Sequence, residues 1–207
     1  MNVRSSVHHD VMKRARANGR GSVFTPSDFL RMGGRAAVDQ ALSRLTKDGQ
    51  LRRLARGLYD YPKLHPTLGA LAPAPDAVAQ ALARETNSRV QIAGARAANA
   101  LGLSTQVQAK DTYLTDGPSR RVVLGKRTVD LRHASPKHLI APGSAAGTVV
   151  QALRHVGPAR ATDVMKVAAS LSVADKRKLA ASASRAPAWM RPTLNSIAAA
   201  APLPNGG

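Results

Sequence analysis

The 207-residue sequence predicts an α+β protein in two parts. The first is a head of three helices and a β-ribbon; the second is a mixed α+β domain with a small antiparallel sheet and a helical C-terminus. Three observations carry that expectation. Caps and glycines cut residues 1–63 into helix, short strand, helix, helix and hairpin. Turn residues at 116–118 and 125–126 separate three short strand candidates. Beyond Pro142 the apolar spacing becomes helical.

Ser6 to Asn18 is helix-compatible and stops at Gly19, with Gly21 behind it, as a helix with a left-handed C-cap does. Val23 and Phe24 make a short apolar step. In Thr25-Pro26-Ser27-Asp28, Thr25 suits an N-cap, Pro26 the first helical position, and Asp28 the returning partner of a capping box. The helix begun there is expected to run to Gly33-Gly34. A third helix spans Arg35 to Asp48 and stops at Gly49. Gln50 to Ala55 and Leu58 to Tyr61 read as strands around an Arg56-Gly57 turn.

That order is the order of a winged helix-turn-helix. At 100° per residue, Ala37, Val38, Ala41, Leu42 and Leu45 fall within an arc of about 140° that faces the other helices. Ala36, Gln40, Ser43 and Lys47 lie opposite, with Asp39 beside them and Arg35 and Arg44 on the flanks. Glutamine can pair bidentately with adenine and arginine with guanine, and small residues let a helix approach the major groove. Arg52, Arg53 and Arg56 sit where a wing reaches phosphates or the minor groove. The expected DNA-binding set is therefore Arg35, Gln40, Ser43, Arg44, Lys47, Arg52, Arg53 and Arg56.

Residues 64–74, rich in proline, read as a linker. In the domain expected over 75–201, Asp76 to Glu85 is a short amphipathic helix with Val78, Ala81 and Leu82 inward. Val90 to Ile92 is a strand and Ala95 to Leu101 a second short helix. Thr112 to Thr115, Arg121 to Leu124 and Thr128 to Arg132 are strands joined by Asp116-Gly117-Pro118, read as a hairpin turn, and by Gly125-Lys126. Helices follow near 145–156, 162–169, 172–184 and 188–200, and 202–207 is expected to be a disordered tail.

Composition narrows the function. There are 31 Lys and Arg against 12 Asp and Glu, a formal charge of +19, and no cysteine. Residues 1–63 carry 13 basic and 5 acidic groups, 64–140 carry 10 and 5, and 141–207 carry 8 and 2. Basic charge in every third implies a broad phosphate-facing surface rather than one cationic tail. Without cysteine, disulfide frameworks, thiol catalysis and thiolate zinc sites are excluded. No apolar run approaches the roughly 20 residues of a membrane span, so a soluble, cytoplasmic protein without a membrane partner is expected.

The six histidines form no metal-ligand spacing, acidic residues are too scattered for a paired-carboxylate centre, and Ser104-Thr105-Gln106 has no base nearby. No catalytic residue, metal or cofactor is expected. Arg120, Arg121, Lys126, Arg127, Lys176, Arg177 and Lys178 make a second candidate nucleic-acid surface. The six aromatics are too dispersed for a base-stacking platform, which favours duplex DNA over single-stranded RNA.

Two parts of the chain resemble one family. Phe24-Thr25-Pro26-Ser27-Asp28-Phe29, Ala41-Leu42-Ser43-Arg44-Leu45 and Arg53-Leu54-Ala55-Arg56-Gly57-Leu58-Tyr59 resemble the winged helix of AbiEi-like antitoxins. Ala97-Ala98-Asn99-Ala100-Leu101-Gly102-Leu103-Ser104-Thr105-Gln106-Val107, with Tyr113-Leu114-Thr115-Asp116-Gly117 and Arg120, is similar to the hallmark block of that family's C-terminal domain. The resemblance covers about residues 20–135. It implies a transcriptional autorepressor of a type IV toxin-antitoxin, or abortive infection, system. Such a protein binds operator repeats, as a monomer in solution or a weak dimer on DNA, and neutralises a nucleotidyltransferase toxin without a stable complex. The alternatives are a stand-alone regulator without a toxin, and an RNA- or protein-binding adaptor that uses the basic C-terminal surface.

Overall fold

A computed structural model describes residues 6–105 and 109–200. The chain divides into two compact units, one formed by residues up to Asn87 with Val122–Lys126, the other by Ser88–Arg121 and the chain from Arg127 onward. The architecture is mixed α+β, with small sheets and a helical C-terminus.

In the first unit, helix α1 (Val7–Asn18) begins where the Ser6 hydroxyl accepts from the His9 amide and ends at Gly19, whose φ of +82° a side chain would resist. Strand β1 (Val23–Phe24) follows. The Asp28 carboxylate accepts from the Thr25 amide at 2.8 Å, the returning bond expected of it. The helix expected up to Gly33 is shorter and tighter, a 3-10 turn over Pro26–Phe29. Its bonds span three residues, Asp28 to Thr25 and Met32 to Phe29. Too few residues precede Gly33-Gly34 for an α-helical ladder to repay its nucleation.

Helix α2 (Arg35–Lys47) buries Val38, Ala41, Leu42 and Leu45. Ala37, placed inward by the angular count, stands exposed at the edge of that face. Strands β2 (Arg52–Ala55) and β3 (Leu58–Asp60) complete a sheet of order β1-β3-β2, antiparallel throughout, with Phe24 and Arg53 both in register with Tyr59. The core gathers Val11, Phe24, Phe29, Leu42 and Leu45. Each such side chain contributes about 1.5–3 kcal/mol by leaving water, so the helix that carries the polar face is fixed by its other side.

The linker expected over 64–74 carries structure. Leu64–His65 (β4) and Gly69–Ala70 (β5) pair antiparallel, and the His65 ring nitrogen Nδ1 accepts from the Thr67 and Leu68 amides at 3.3 Å. Proline removes donors, but a two-residue ladder needs few of them. Helix α3 (Pro75–Glu85) buries Val78, Ala81 and Leu82 as expected. It belongs, however, to the first unit: Arg84 donates to the Asp28 carboxylate at 3.1 Å and to the Val23 carbonyl at 3.0 Å. The division expected at residue 75 falls after Asn87, because α3 packs on β1 and the 3-10 turn.

The second unit opens with β6 (Val90–Ile92) and α4 (Gly94–Ala100). Strands β7 (Lys110–Thr115), β8 (Arg120–Leu124, of which Val122–Leu124 are grouped with the first unit) and β9 (Arg127–His133) complete a sheet of order β6-β7-β9-β8. The sheet is mixed rather than antiparallel. Strand β9 lies between β7 and β8 and runs parallel to β7, Tyr113 opposite Leu131. Asp116-Gly117-Pro118 is thus not a hairpin turn but a connection that steps over one strand position. The tight Gly125-Lys126 turn then folds β9 back into the gap.

Helices α5 (Ala145–Val156), α6 (Ala161–Ala168), α7 (Val173–Ser182) and α8 (Arg191–Ala199) enclose a core of Ile140, Val150, Leu153, Leu179, Met190 and Leu194. Gly147 on α5 is required by close approach: a Cβ there would stand 2.3 Å from the Ala141 carbonyl oxygen and 2.6 Å from the Gln91 side-chain oxygen. Gln106 and Val107 of the hallmark block and the expected tail at 202–207 lie outside the described residues. Among the described residues no helix is long and apolar enough to cross a membrane.

Candidate nucleic-acid interface

The buried stripe of α2 leaves an arc of exposed side chains on its other side: Arg35, Ala36, Asp39, Gln40, Ser43, Arg44 and Lys47. Arg35 Nε donates to Asp39 at 2.9 Å, one turn on, and so neutralises the single acidic group of that face. Arg44 and Lys47 are exposed and make no ion pair among the described residues. Both stand in the last turn of the helix, where their charge also favours the helix dipole.

On the ribbon, neighbouring arginines do different work. Arg53 is exposed and makes no ion pair among the described residues, and Arg56 is exposed at the turn. Arg52 is withdrawn from the expected DNA-binding role. Its Nε and Nη2 donate to the two oxygens of Asp60, at 3.0 and 2.6 Å, and its terminal nitrogens donate to the Ala70 and Leu71 carbonyls at 3.2 and 2.7 Å. Asp60 has no exposed surface, so leaving it unpaired would be costly. Arg52 therefore locks the base of the ribbon to β5. Alternation along β2 explains the split, since adjacent strand residues point to opposite faces.

Sequence reasoning missed Arg31, exposed in the turn leading into α2, and Lys13 and Arg16 on α1, also exposed and without ion pairs among the described residues. Arg31 was findable in the sequence, as a cation beside the short turn between two predicted helices. Arg20 was not, since its role depends on Tyr61: the guanidinium lies 4.7 Å from the ring centroid and donates to the Pro62 carbonyl.

The second candidate surface divides as well. Lys126 and Arg177 are exposed, and Arg120 is half-buried. Arg121 faces Asp130 at 3.5 Å, Arg127 donates to Asp111 at 2.9 Å, and Lys178 faces Asp175 at 3.5 Å. Lys176 is a correction. It is buried, and its ammonium donates to the Ala169 and Ala200 carbonyls at 3.0 and 3.1 Å, closing the ends of α6 and α8. A charge in Lys-Arg-Lys cannot be assigned to solvent by composition when one of three successive helical positions must point inward.

Carboxylates at 111, 116 and 130 hold the cations on and around the sheet. Asp111, 2% exposed, is held by Arg96 at 2.8 Å and by Arg127. Asp116 accepts from the backbone and side chain of Arg89, both at 2.7 Å, and those bonds hold its carboxyl below the ordinary value. Burial works against the charge of Asp130, but hydrogen bonds from Lys110 and Arg132 outweigh it and its pKa is also lowered. His138 accepts from Arg154 at 2.8 Å, and burial followed by the Arg154 charge lowers its pKa. Among the described residues no three His, Asp or Glu side chains are grouped to hold a metal ion.

The chain belongs to a family of unknown function, DUF6088, which matches residues 10–179 and so spans α1 to most of α7. No curated protein matches it. A solved structure described as the crystal structure of RV2827C protein from Mycobacterium tuberculosis is similar at 18% identity, over 92% of this chain and 78% of that one, with a TM-score of 0.44.

Proposed function

We propose that the first unit is a winged helix-turn-helix and that the protein is a duplex-DNA-binding transcriptional regulator. The observation that carries this reading is the exposed arc of α2, where Gln40, Ser43, Arg44 and Lys47 stand together on a helix whose other side is core. Element order adds support: helix, short strand, 3-10 turn, helix and ribbon over a three-stranded antiparallel sheet. Arg44 and Gln40 offer base-edge contacts, while Arg35, Lys47, Arg53 and Arg56 offer phosphate contacts. A single module reads few base pairs, so operator repeats and weak association of two copies on DNA belong to the proposal.

The resemblance to AbiEi-like antitoxins extends this reading to autorepression and to neutralising a nucleotidyltransferase toxin without a stable complex. A mobility shift with the DNA upstream of the protein's own gene tests DNA binding. Arg44→Ala and Arg53→Ala should each weaken the shift, and unchanged binding in both would remove the assigned surface. Co-expression with an adjacent nucleotidyltransferase gene tests the antitoxin role: restored growth supports it, and undiminished toxicity refutes it.

A further inference from the structure

On the β7–β9 sheet three cations converge on one carboxylate. Lys110 Nζ and Arg132 Nε each lie 2.9 Å from the same oxygen of Asp130, and Arg121 Nε lies 3.5 Å from the other. The three come from different strands, β7, β9 and β8, and their shared partner places them on one face. Thr112, half-buried, stands in register with Asp130 on that face.

One cation would suffice to neutralise a buried carboxylate, and further ones repel each other. Lys110, Arg132 and Arg121 with Asp130 leave a local excess of two positive charges. The two arginines meet Asp130 through Nε, and their terminal nitrogens make no hydrogen bond among the described residues. Those forks remain accessible, the Arg121 and Arg132 side chains being 63% and 56% exposed. Asp130 therefore acts as a buried peg that orients two guanidinium forks and an ammonium and leaves their outward donors open. Planar forks suit tetrahedral oxyanions, and charge-assisted bonds to them are among the strong ones.

We infer that Lys110, Arg121 and Arg132, oriented by Asp130, form a binding site for the dianionic phosphate of a phosphomonoester. Two features favour a monoester over a nucleic-acid backbone. The excess of two charges matches a dianion, whereas a phosphodiester carries one negative charge per group. The three cations also gather around one carboxylate instead of following a row. The site is independent of the DNA-binding reading, since every residue in it lies in the second unit.

The test is a titration of the full chain, followed by the arginine side-chain nitrogen resonances in NMR. Inorganic phosphate, methyl phosphate and dimethyl phosphate are compared with potassium chloride at matched ionic strength. Phosphate and methyl phosphate should shift and slow the terminal nitrogens of Arg121 and Arg132 with saturation, and dimethyl phosphate should do so at least about tenfold more weakly. Arg121→Gln and Arg132→Gln should each weaken methyl phosphate binding by about tenfold or more, whereas Arg177→Gln should leave it unchanged. Lys110→Gln, a milder change on another strand, gives the same readout should an arginine variant fail to fold. Shifts no larger than those with chloride would mean that the three cations serve the fold alone, and the inference falls. Equal response to dimethyl phosphate, or a response confined to duplex DNA of random sequence, would replace the monoester by a nucleic-acid backbone and equally overturn it.

Discussion

The exposed side of α2 with its ribbon and the β7–β9 sheet are both rich in arginine and lysine, yet they use those residues in different ways. On α2 and β2, Arg44, Lys47 and Arg53 have no ion pair among the described residues. On the sheet, Arg127 and, from α4, Arg96 flank Asp111, and Lys110, Arg121 and Arg132 surround Asp130. A count of cations treats the two regions alike. Buried carboxylates separate them, because a buried Asp holds nearby cations in place whereas a bare helix face leaves its cations to a partner.

Breaking the sheet side should give the largest effect. Asp111→Ala removes the buried carboxylate that Arg96 and Arg127 share, and should cost about 3–5 kcal/mol of stability in urea denaturation. On the α2 side, Arg44→Ala should leave the urea midpoint almost unchanged and weaken specific duplex binding by about 1–3 kcal/mol. Lys176→Met sharpens the contrast within one basic run. It strands two helix-end carbonyls and should cost about 1–3 kcal/mol of stability, with no change in DNA binding, while Arg177→Gln should alter stability by less than about 0.5 kcal/mol.

A pH series separates a third kind of site. The pKa of His138 is lowered in the folded protein, so the unfolded chain binds the extra proton first. Its stabilising contribution is present above the unfolded value of about 6.5 and is lost as pH falls through the lower folded value. The urea midpoint should therefore drop between pH 7 and pH 5, and drop less in His138→Gln. Asp116 and Asp130 act at lower pH, their contribution being present above the ordinary aspartate value of about 3.9 and lost as pH falls through their depressed values. The smallest effect should come from Asp39→Ala, which breaks an exposed pair one helical turn apart worth about 0.3–0.5 kcal/mol. It should tighten DNA binding slightly, because an anion leaves the exposed face.

What the sequence made legible was local. Ser6, Gly19, the Asp28 return bond, α2 with its inward Val38, Leu42 and Leu45, and the Gly125-Lys126 turn all depend on neighbours within a few positions. What it concealed depends on distant partners. Arg52 and Arg53 are indistinguishable in sequence until Asp60 and the Ala70 and Leu71 carbonyls select one of them, and Lys176 reads as solvent-facing until α8 returns to it. Likewise nothing local says that β9 inserts beside β7, since strand order is settled by packing across the sheet. Helix α3 matched its expected face and joins the first unit by packing on β1 and the 3-10 turn, with Arg84 bonded to both Asp28 and Val23.

The most direct test of the DNA-binding claim is the salt dependence of full-chain affinity for its own upstream duplex, measured by fluorescence anisotropy with wild type and with Arg44→Gln/Arg53→Gln. If about six phosphates are neutralised, log K should fall with log salt at a slope near −5, and the double variant should be shallower by roughly 2. Identical slopes and affinities for the two proteins would contradict the assignment of α2 and its ribbon as the DNA-facing surface.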